Sequence, residues 1–257
     1  MFKTDNYKNK TVVITGGTKG IGLGITKAYL SLSANVIILA RNKPKKQIQV
    51  KGNKALFYQC NVRDNPNVEE VINEVFKANK CIDVLINNAG GAPLINSLDA
   101  SMNFNNAIID LNLNSSFAVS YYVAKKMIKK SSGCVITNIS SVTATRPTPG
   151  SAAYGAAKGG LVNLTKTLAV EWAPRIRVNS IITGYIETEN SLVHYGSKKD
   201  MKAVAKTIPM KRMGTPEDIA NACIFLSSVN SSWITGTAIE VHGGGESPAY
   251  LNSAKPK

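Results

Sequence analysis

Thr11-Val-Val-Ile-Thr15-Gly16-Gly17-Thr18-Lys19-Gly20-Ile21-Gly22 decides the fold of this 257-residue chain. The β-branched run Thr11 to Thr15 predicts a strand and the glycines a tight turn. The stretch Gly20 to Ser31, with apolar Ile21, Ile25 and Ala28, predicts a helix. Outward from this unit, Asn35 to Ala40, Ala55 to Cys60, Ile82 to Asn87, Cys134 to Ser140, Ile176 to Ile182 and Gly236 to Val241 read as further strands. Helical patterns lie between them at Asn67 to Asn79, Ala107 to Lys130 and Ser151 to Ala173, the last stopped by Pro174. Thr215-Pro216-Glu217-Asp218 places a cap before a proline and opens a helix to Leu226. The strands are continuously apolar, which suits a parallel sheet covered on both faces. Strands and helices alternate without a linker or internal repeat, so the expectation is one α/β domain over residues 1–257, a Rossmann-type doubly wound parallel sheet.

Composition narrows the function classes. Hydrophobic residues make up 44% of the chain and charged residues 18%, with 31 Lys+Arg against 16 Asp+Glu and a net charge of +15. That is enough apolar material for a core and excludes a disordered chain. Apolar runs fall far short of the roughly 20 residues that span a bilayer, and Met1-Phe-Lys-Thr-Asp-Asn6 has no signal-peptide apolar region. No membrane association and a cytoplasmic location are expected. Cys60, Cys81, Cys134 and Cys223 are widely spaced and read as small buried hydrophobes rather than a disulfide or zinc framework. His194 and His242 have no metal-ligand spacing, so no metal site is expected, and Trp172 and Trp233 read as packing residues. The excess positive charge raises a nucleic-acid reading. Its distribution is lopsided, however: residues 6–63 hold eleven basic side chains and no acidic one.

Those charges surround the glycine turn. Glycines spaced T-G-x-x-x-G-x-G let the backbone approach a pyrophosphate at the positive end of the following helix, although a plain tight turn has the same composition. The second strand ends Leu39-Ala40-Arg41-Asn42, without the acidic residue that bonds the ribose 2′-OH of NAD. Arg41 and Lys19 can instead share a 2′-phosphate through charge-assisted bonds. NADP(H) is therefore preferred over NAD(H); the alternative leaves Arg41 a solvated surface cation.

With these residues in view, the chain resembles the short-chain dehydrogenase/reductase superfamily along almost its whole length. The matching positions are the Thr15 to Gly22 turn, Asn87-Asn88-Ala89-Gly90 after the fourth strand, Asn112, Ser141, Tyr154, Lys158, Arg177-Val178-Asn179, Gly184 to Thr188, Arg212-Met213-Gly214 and Gly243-Gly244. Tyr-x-x-x-Lys alone does not discriminate, because Tyr121/Lys125, Tyr122/Lys126 and Tyr195/Lys199 also fit it. The family places a serine thirteen residues before the tyrosine; Tyr154 has Ser141 there, and the other three have isoleucine.

The resemblance implies that Asn112, Ser141, Tyr154 and Lys158 are catalytic. It also implies that Gly16, Thr18, Lys19, Gly20, Ile21, Gly22, Arg41, Asn42, Asn61, Val62, Asn88, Ala89, Gly90, Tyr154, Lys158, Ile186 and Thr188 meet the cofactor. Two positions depart from the family: Asn61-Val62 replaces Asp-Val, and Thr183-Gly184 replaces Pro-Gly. Tyr154 and Lys158 stand one helical turn apart on one face. A phenol of ordinary pKa ~10 is a poor acid-base group near neutrality, and an adjacent ammonium is expected to draw it down. By resemblance, Tyr154 exchanges a proton with a carbonyl or alcohol oxygen, Ser141 holds that oxygen, Lys158 also binds the nicotinamide ribose, and Asn112 anchors the water of a proton relay.

Residues 189–213 occupy the family's variable substrate lid. Leu192, Val193, Tyr195, Met201, Ile208 and Met210 stand there beside Lys198, Lys199, Lys202, Lys206, Lys211 and Arg212. An apolar pocket under a cationic rim suits a ketone on a phosphorylated handle, and a solvated lysine-rich helix is the plainer reading. Asn88 to Pro93, Thr145 to Gly150, Val170 to Arg175 and His242 to Pro248 resemble a bacterial subgroup associated with CoA-linked breakdown of steroid or other cyclic acids. The resulting expectation is an NADP(H)-dependent oxidoreductase acting on a small-molecule ketone or secondary alcohol, with a 3-oxoacyl or cyclic keto-acyl thioester, CoA- or carrier-linked, as substrate. No nucleic acid is expected as partner, and by resemblance the enzyme forms a homotetramer or homodimer. The alternative is a non-catalytic dinucleotide-binding or nucleic-acid-binding protein on the same fold, against which the complete Asn112/Ser141/Tyr154/Lys158 set argues.

Overall fold

The computed structural model of the chain describes residues 7–129, 133–249 and 253. The stretch Met1 to Asn6, the expected helix end at Lys130 and most of the C-terminal tail lie outside the described residues.

Seven parallel strands form one sheet: β1 (Thr11–Thr15), β2 (Asn35–Ala40), β3 (Leu56–Gln59), β4 (Val84–Asn87), β5 (Cys134–Ser141), β6 (Ile176–Thr183) and β7 (Ala238–Val241), in the order β3-β2-β1-β4-β5-β6-β7. The chain builds outward one way from β1 through β3 and the other way from β4 through β7. The direction reverses between β1 and β4, and open α/β sheets bind ligands in the crevice at the carboxyl ends of such strands.

Successive side chains explain why both faces are covered. Val13, Ile37 and Leu39 pack on one face against helices α2 (Asn65–Asn79), α4 (Ser115–Met127) and α5 (Ala152–Trp172). Val12, Ile14, Val36 and Ile38 pack on the other against α1 (Gly20–Ser31) and α8 (Pro216–Ser227). The central strands β1, β4 and β5 are thus buried at every position while their side chains alternate in direction. A buried polar chain joins the layers: Asn87 Nδ2 donates to Ser120 Oγ at 2.7 Å and to Asn138 Oδ1 at 2.8 Å, and Asn138 Nδ2 donates to Thr165 Oγ1 at 2.9 Å. Bonds between α4, β4, β5 and α5 fix the relative height of these elements at the sheet's carboxyl edge.

The long helix expected from Ala107 is instead divided. Helix α3 (Met102–Ile109) starts earlier, a π turn covers Asp110–Asn114, and α4 continues from Ser115. The cause is local: Asn112 Nδ2 donates to the Ile108 carbonyl at 2.9 Å, inserting a side chain into the backbone ladder. A short hairpin, Gln49–Val50 with Asn53–Lys54, precedes β3 and turns through Lys51 and Gly52, both at positive φ. Two-residue strands leave no periodicity to read, although Lys-Gly is a hairpin turn signal. Helices α6 (Ser191–Tyr195) and α7 (Lys198–Thr207) make up much of the expected lid.

Cys60, Cys134 and Cys223 are buried as expected, whereas Cys81 is half-buried; none of the four is in a disulfide. Trp172 packs against the first core face. Trp233 does not pack and is 98% exposed. Among the described residues no helix is long and apolar enough to cross a membrane.

Helices α1 and α8 meet where Gly24 lies under Pro216. A Cβ on Gly24 would stand 2.3 Å from Pro216 Cβ and 3.1 Å from its carbonyl carbon. Gly24→Ala gains about 1 kcal/mol of helix propensity, but neither proline ring nor backbone can yield cheaply. We expect the substitution to lower the urea unfolding free energy by about 1–3 kcal/mol; an unchanged or higher midpoint contradicts this packing.

Candidate active site

The glycine turn lies at the carboxyl end of β1, tied to its neighbours. Gly16 N donates to Leu39 O at 2.8 Å, and Gly16 and Gly20 have positive φ. The backbone amides of Asn88 and Ala89 both donate to the Thr15 hydroxyl at 3.0 Å. Asn88 Nδ2 donates back to Thr15 O at 3.0 Å and Gly16 O at 3.3 Å. The Asn88 side chain therefore holds the turn's shape. A Cβ on Gly22 would stand 2.3 Å from Gly16 O and 2.5 Å from Asn88 Nδ2, so only glycine lets helix and turn approach this closely. Lys19 is the exposed N-cap of α1 and makes no side-chain cap bond. Across the turn, Thr188 Cγ2 lies 3.7 Å from where a Gly20 Cβ would be.

Beside the turn is a buried ammonium. Lys158 on α5 is 4% exposed, and its Nζ donates to Ile139 O at 2.8 Å. Burial lowers its pKa to about 8. Ser140 Oγ donates to the Lys158 carbonyl at 3.1 Å, fixing this turn of α5 against β5. Gly90 completes the enclosure: a Cβ there would be 3.3 Å from Lys158 Nζ and 2.6 Å from Asn112 Oδ1. Asn112 is fully buried; its Oδ1 accepts from Gly91 N at 2.8 Å and its Nδ2 donates to Gly91 O at 3.0 Å. Its side chain thus positions the loop after β4.

Tyr154, one turn before Lys158, is half-buried, with the Lys158 Nζ 5.6 Å from its ring centroid. Its phenol lies near the Ser141 hydroxyl. The expected lowering of this phenol's pKa is not what the structure gives. Burial raises it above the ordinary value, and the nearby Ser141 hydroxyl only partly opposes the rise. Desolvation of the phenolate outweighs the neighbouring polar groups.

The adenosine side of the crevice is more open. Arg41 lines a cavity with Gln59, Asn61 and Asn67 at the ends of β2 and β3. Asn42 is exposed beside it, and Val62 is buried in the first core face. Asn61 is held by its own bonds, its backbone N donating to Asn67 Oδ1 at 2.9 Å and its Oδ1 accepting from Arg63 N at 3.3 Å. Ile186 points into the second core face and bridges to Gly214, so its backbone is the part near the crevice. Of the eleven basic residues in 6–63, Lys10 is half-buried and the others are exposed.

The substrate side contains groups that the sequence did not single out. Arg146, five residues past Ser141, donates through Nη2 to Tyr185 Oη at 2.9 Å and pairs with Glu246 at 2.8 Å. The Tyr185 and Tyr195 rings meet edge-on at 5.9 Å. Burial pushes Tyr195 up to about 12, with the charges of Tyr185 and Tyr154 adding to it. Met201, Ile208 and Met213 are buried under these rings, so part of the expected apolar lining is the lid's own small core. Leu192, Val193 and Met210 are exposed. Arg212, expected on the cationic rim, is paired bidentately with Asp218 at 2.7 and 3.0 Å at the start of α8, which holds that carboxyl down at about 2. The four lysines of α7 are exposed. His242 pairs with Glu240 at 2.8 Å, and the His194 ring lies against Tyr195. The sequence signals for Arg146, Tyr185 and Glu246 are weak because the three come together from separated loops.

Comparison with known proteins follows this geometry. The family model described as enoyl-(acyl carrier protein) reductase matches residues 16–246. The chain belongs to the short-chain dehydrogenase/reductase family. It is 36% identical over 242 residues to the 3-oxoacyl-[acyl-carrier-protein] reductase FabG of Chlamydia pneumoniae, covering 91% of this chain and 96% of that one. It is 35% identical over 245 residues to a probable 2,4-dienoyl-CoA reductase of Bacillus subtilis, covering 92% and 96%. Ligand-free aldohexose dehydrogenase of Thermoplasma acidophilum superposes with a TM-score of 0.86 at 31% identity, covering 98% and 97%. The protein is thus an oxidoreductase of a family that uses a nicotinamide dinucleotide. Its residues fit that group: the turn is closed to any Cβ at Gly22, and the Gly20 amide already holds an anionic oxygen, donating to the Glu189 carboxylate at 2.8 Å.

Proposed function

We propose that this short-chain dehydrogenase/reductase is an NADP(H)-dependent enzyme that interconverts a ketone and a secondary alcohol, running as a reductase in the cytoplasm. The observation that carries the reading is the grouping of the Ser141 hydroxyl and the Tyr154 phenol with the buried Lys158 ammonium, one helical turn from Tyr154 and beside the glycine turn. The nicotinamide cofactor supplies the hydride in reduction and accepts it in oxidation.

The chain's own residues do the rest. Ser141 Oγ donates a hydrogen bond to the substrate oxygen and aligns it with the phenol. Tyr154 Oη gives its proton to that oxygen as negative charge develops there. Because burial raises the phenol's pKa, Tyr154 is protonated near neutrality, the form that reduction requires. The Lys158 ammonium favours the phenolate left behind, and its place beside Gly90 and Asn112 suits a ribose contact. Both polar side-chain atoms of Asn112 are bonded to the protein, so the relay water is assigned to its main-chain carbonyl.

Arg41 at the cavity with Asn61, and Lys19 capping α1, support NADP(H) over NAD(H), since no carboxylate follows β2 to take a ribose hydroxyl. The substrate class we favour is a 3-oxoacyl or cyclic keto-acyl thioester on CoA or a carrier protein. The chlamydial and Bacillus relatives support it, as do the exposed lysines of α7 and the exposed Leu192 and Val193 of α6. Exposed Phe117 and Tyr121 on α4, Val170 on α5 and Trp233 before β7 support a homotetramer or homodimer.

With 3-oxoacyl thioesters and cyclic ketones as a panel, wild type is expected to oxidise NADPH. Tyr154→Phe should lose about 10²–10⁴-fold in kcat while binding NADPH unchanged. A wild type inactive across the panel, or a fully active Tyr154→Phe, contradicts the reaction. Arg41→Asp should reverse the ratio of kcat/KM for NADPH over NADH, and an unchanged ratio removes Arg41 as the reader of the phosphate.

A further inference from the structure

The anion that sits on the glycine turn comes from the protein itself. Gly20 N donates to Glu189 Oε1 at 2.8 Å and to Oε2 at 3.2 Å. Gly20 is the first residue of α1, a twelve-residue helix with no acidic residue in its first turn and no side-chain bond from its N-cap. Its leading amide, at the positive end of the helix, is therefore served by a carboxylate 169 positions away in sequence.

The segment that brings Glu189 there is fixed on both sides. Before it, Glu187 N donates to Gly214 O at 2.8 Å and Gly214 N donates to Tyr185 O at 2.9 Å, clamping the chain to the start of α8. After it, Thr188 N donates at 2.8 Å to the hydroxyl of Ser191, a buried residue that begins α6. Between these anchors Glu189 is exposed, and its carboxylate can turn into solvent without disturbing either of them.

We propose that Glu189 is a latch on the cofactor site: its carboxylate holds the Gly20 amide that a diphosphate oxygen of the dinucleotide needs, and the cofactor must displace it to bind. The inference rests on the cofactor reading above and adds to it a residue that sets cofactor affinity. One N–H cannot serve two anions, and a carboxylate left beside a diphosphate is repelled by it. The site is competent only in the fraction of molecules whose latch is open, and apparent affinity falls by that fraction.

The test is direct titration of NADPH and NADP+ by calorimetry or intrinsic fluorescence, on wild type, Glu189→Ala and Glu189→Gln. The comparison probe is adenosine 2′-monophosphate, which carries the 2′-phosphate but no diphosphate. Removing the carboxylate should tighten both dinucleotides by about three- to tenfold, less than a buried charged hydrogen bond would give because this one is exposed. Adenosine 2′-monophosphate should bind all three proteins alike. Equal or weaker dinucleotide binding by Glu189→Ala overturns the latch, and so does an equal gain for adenosine 2′-monophosphate, which would mark a general loss of negative surface charge. If wild type binds no dinucleotide and Glu189→Ala does, the latch stands in its strongest form. If neither protein binds NADPH or NADH, the cofactor reading fails and the latch with it.

Discussion

A lysine ammonium removed from water at the junction of β5 and α5 is the constraint on which the site depends. Moving a charge into a dry interior is costly unless polar atoms surround it, and Lys158 Nζ has the Ile139 carbonyl at 2.8 Å. The neighbouring irregularities follow from accommodating it. Gly90 has no side chain because a Cβ would crowd both Nζ and Asn112. Asn112 Nδ2 donates to the Ile108 carbonyl of α3 and to the Gly91 carbonyl, and the helix opens into a π turn there. Ser140 grips the Lys158 carbonyl, and Tyr154 stands one turn earlier with its phenol near the Ser141 hydroxyl.

This arrangement sits at the switch point of the sheet, where β1 and β4 diverge. The Thr15 hydroxyl receives two amides from the loop after β4, and Asn88 returns two bonds to the turn after β1. The glycine turn and the loop next to the ammonium are consequently one mechanical unit. On one side lies a crevice lined by Arg41 and Asn61; on the other lies the Arg146–Tyr185–Tyr195 cluster, with Tyr195 near Tyr154. The net charge of +15 therefore contains two parts. Arg41 lines the crevice and Lys19 is the exposed N-cap of α1, while cations such as Lys45, Lys46 and Lys51 are solvated surface.

What could be read in the sequence was whatever depends on near neighbours along the chain. The strand-turn-helix at Thr11–Ser31 follows from β-branching and glycine spacing, and Ser141, Tyr154 and Lys158 are joined by one strand end and one helical turn. The alternation of strands and helices gave the doubly wound sheet. Hidden were features made by distant partners, Glu189 on Gly20 and Glu246 on Arg146, and two local ones that periodicity does not mark, the Arg212–Asp218 pair and the π turn at Asn112. A glutamate in a lid and an arginine beside a proline look like solvated loop residues until the fold brings their partners to them. Trp233 misled in the opposite sense, because aromatic character says nothing about which side of a loop faces the core.

The protonation chemistry assigned to the site turns on Lys158 being an ammonium weakened by burial. Its direct measurement is a carbon-13 titration of ε-labelled lysines in the cofactor-free protein, with Lys158→Met to assign the signal. One lysine titrating at about 8, absent in the variant, is the expected result. A Lys158 signal at the ordinary lysine value of ~10.4 would contradict it, because a lysine solvated in that way is not the buried ammonium around which this site is built.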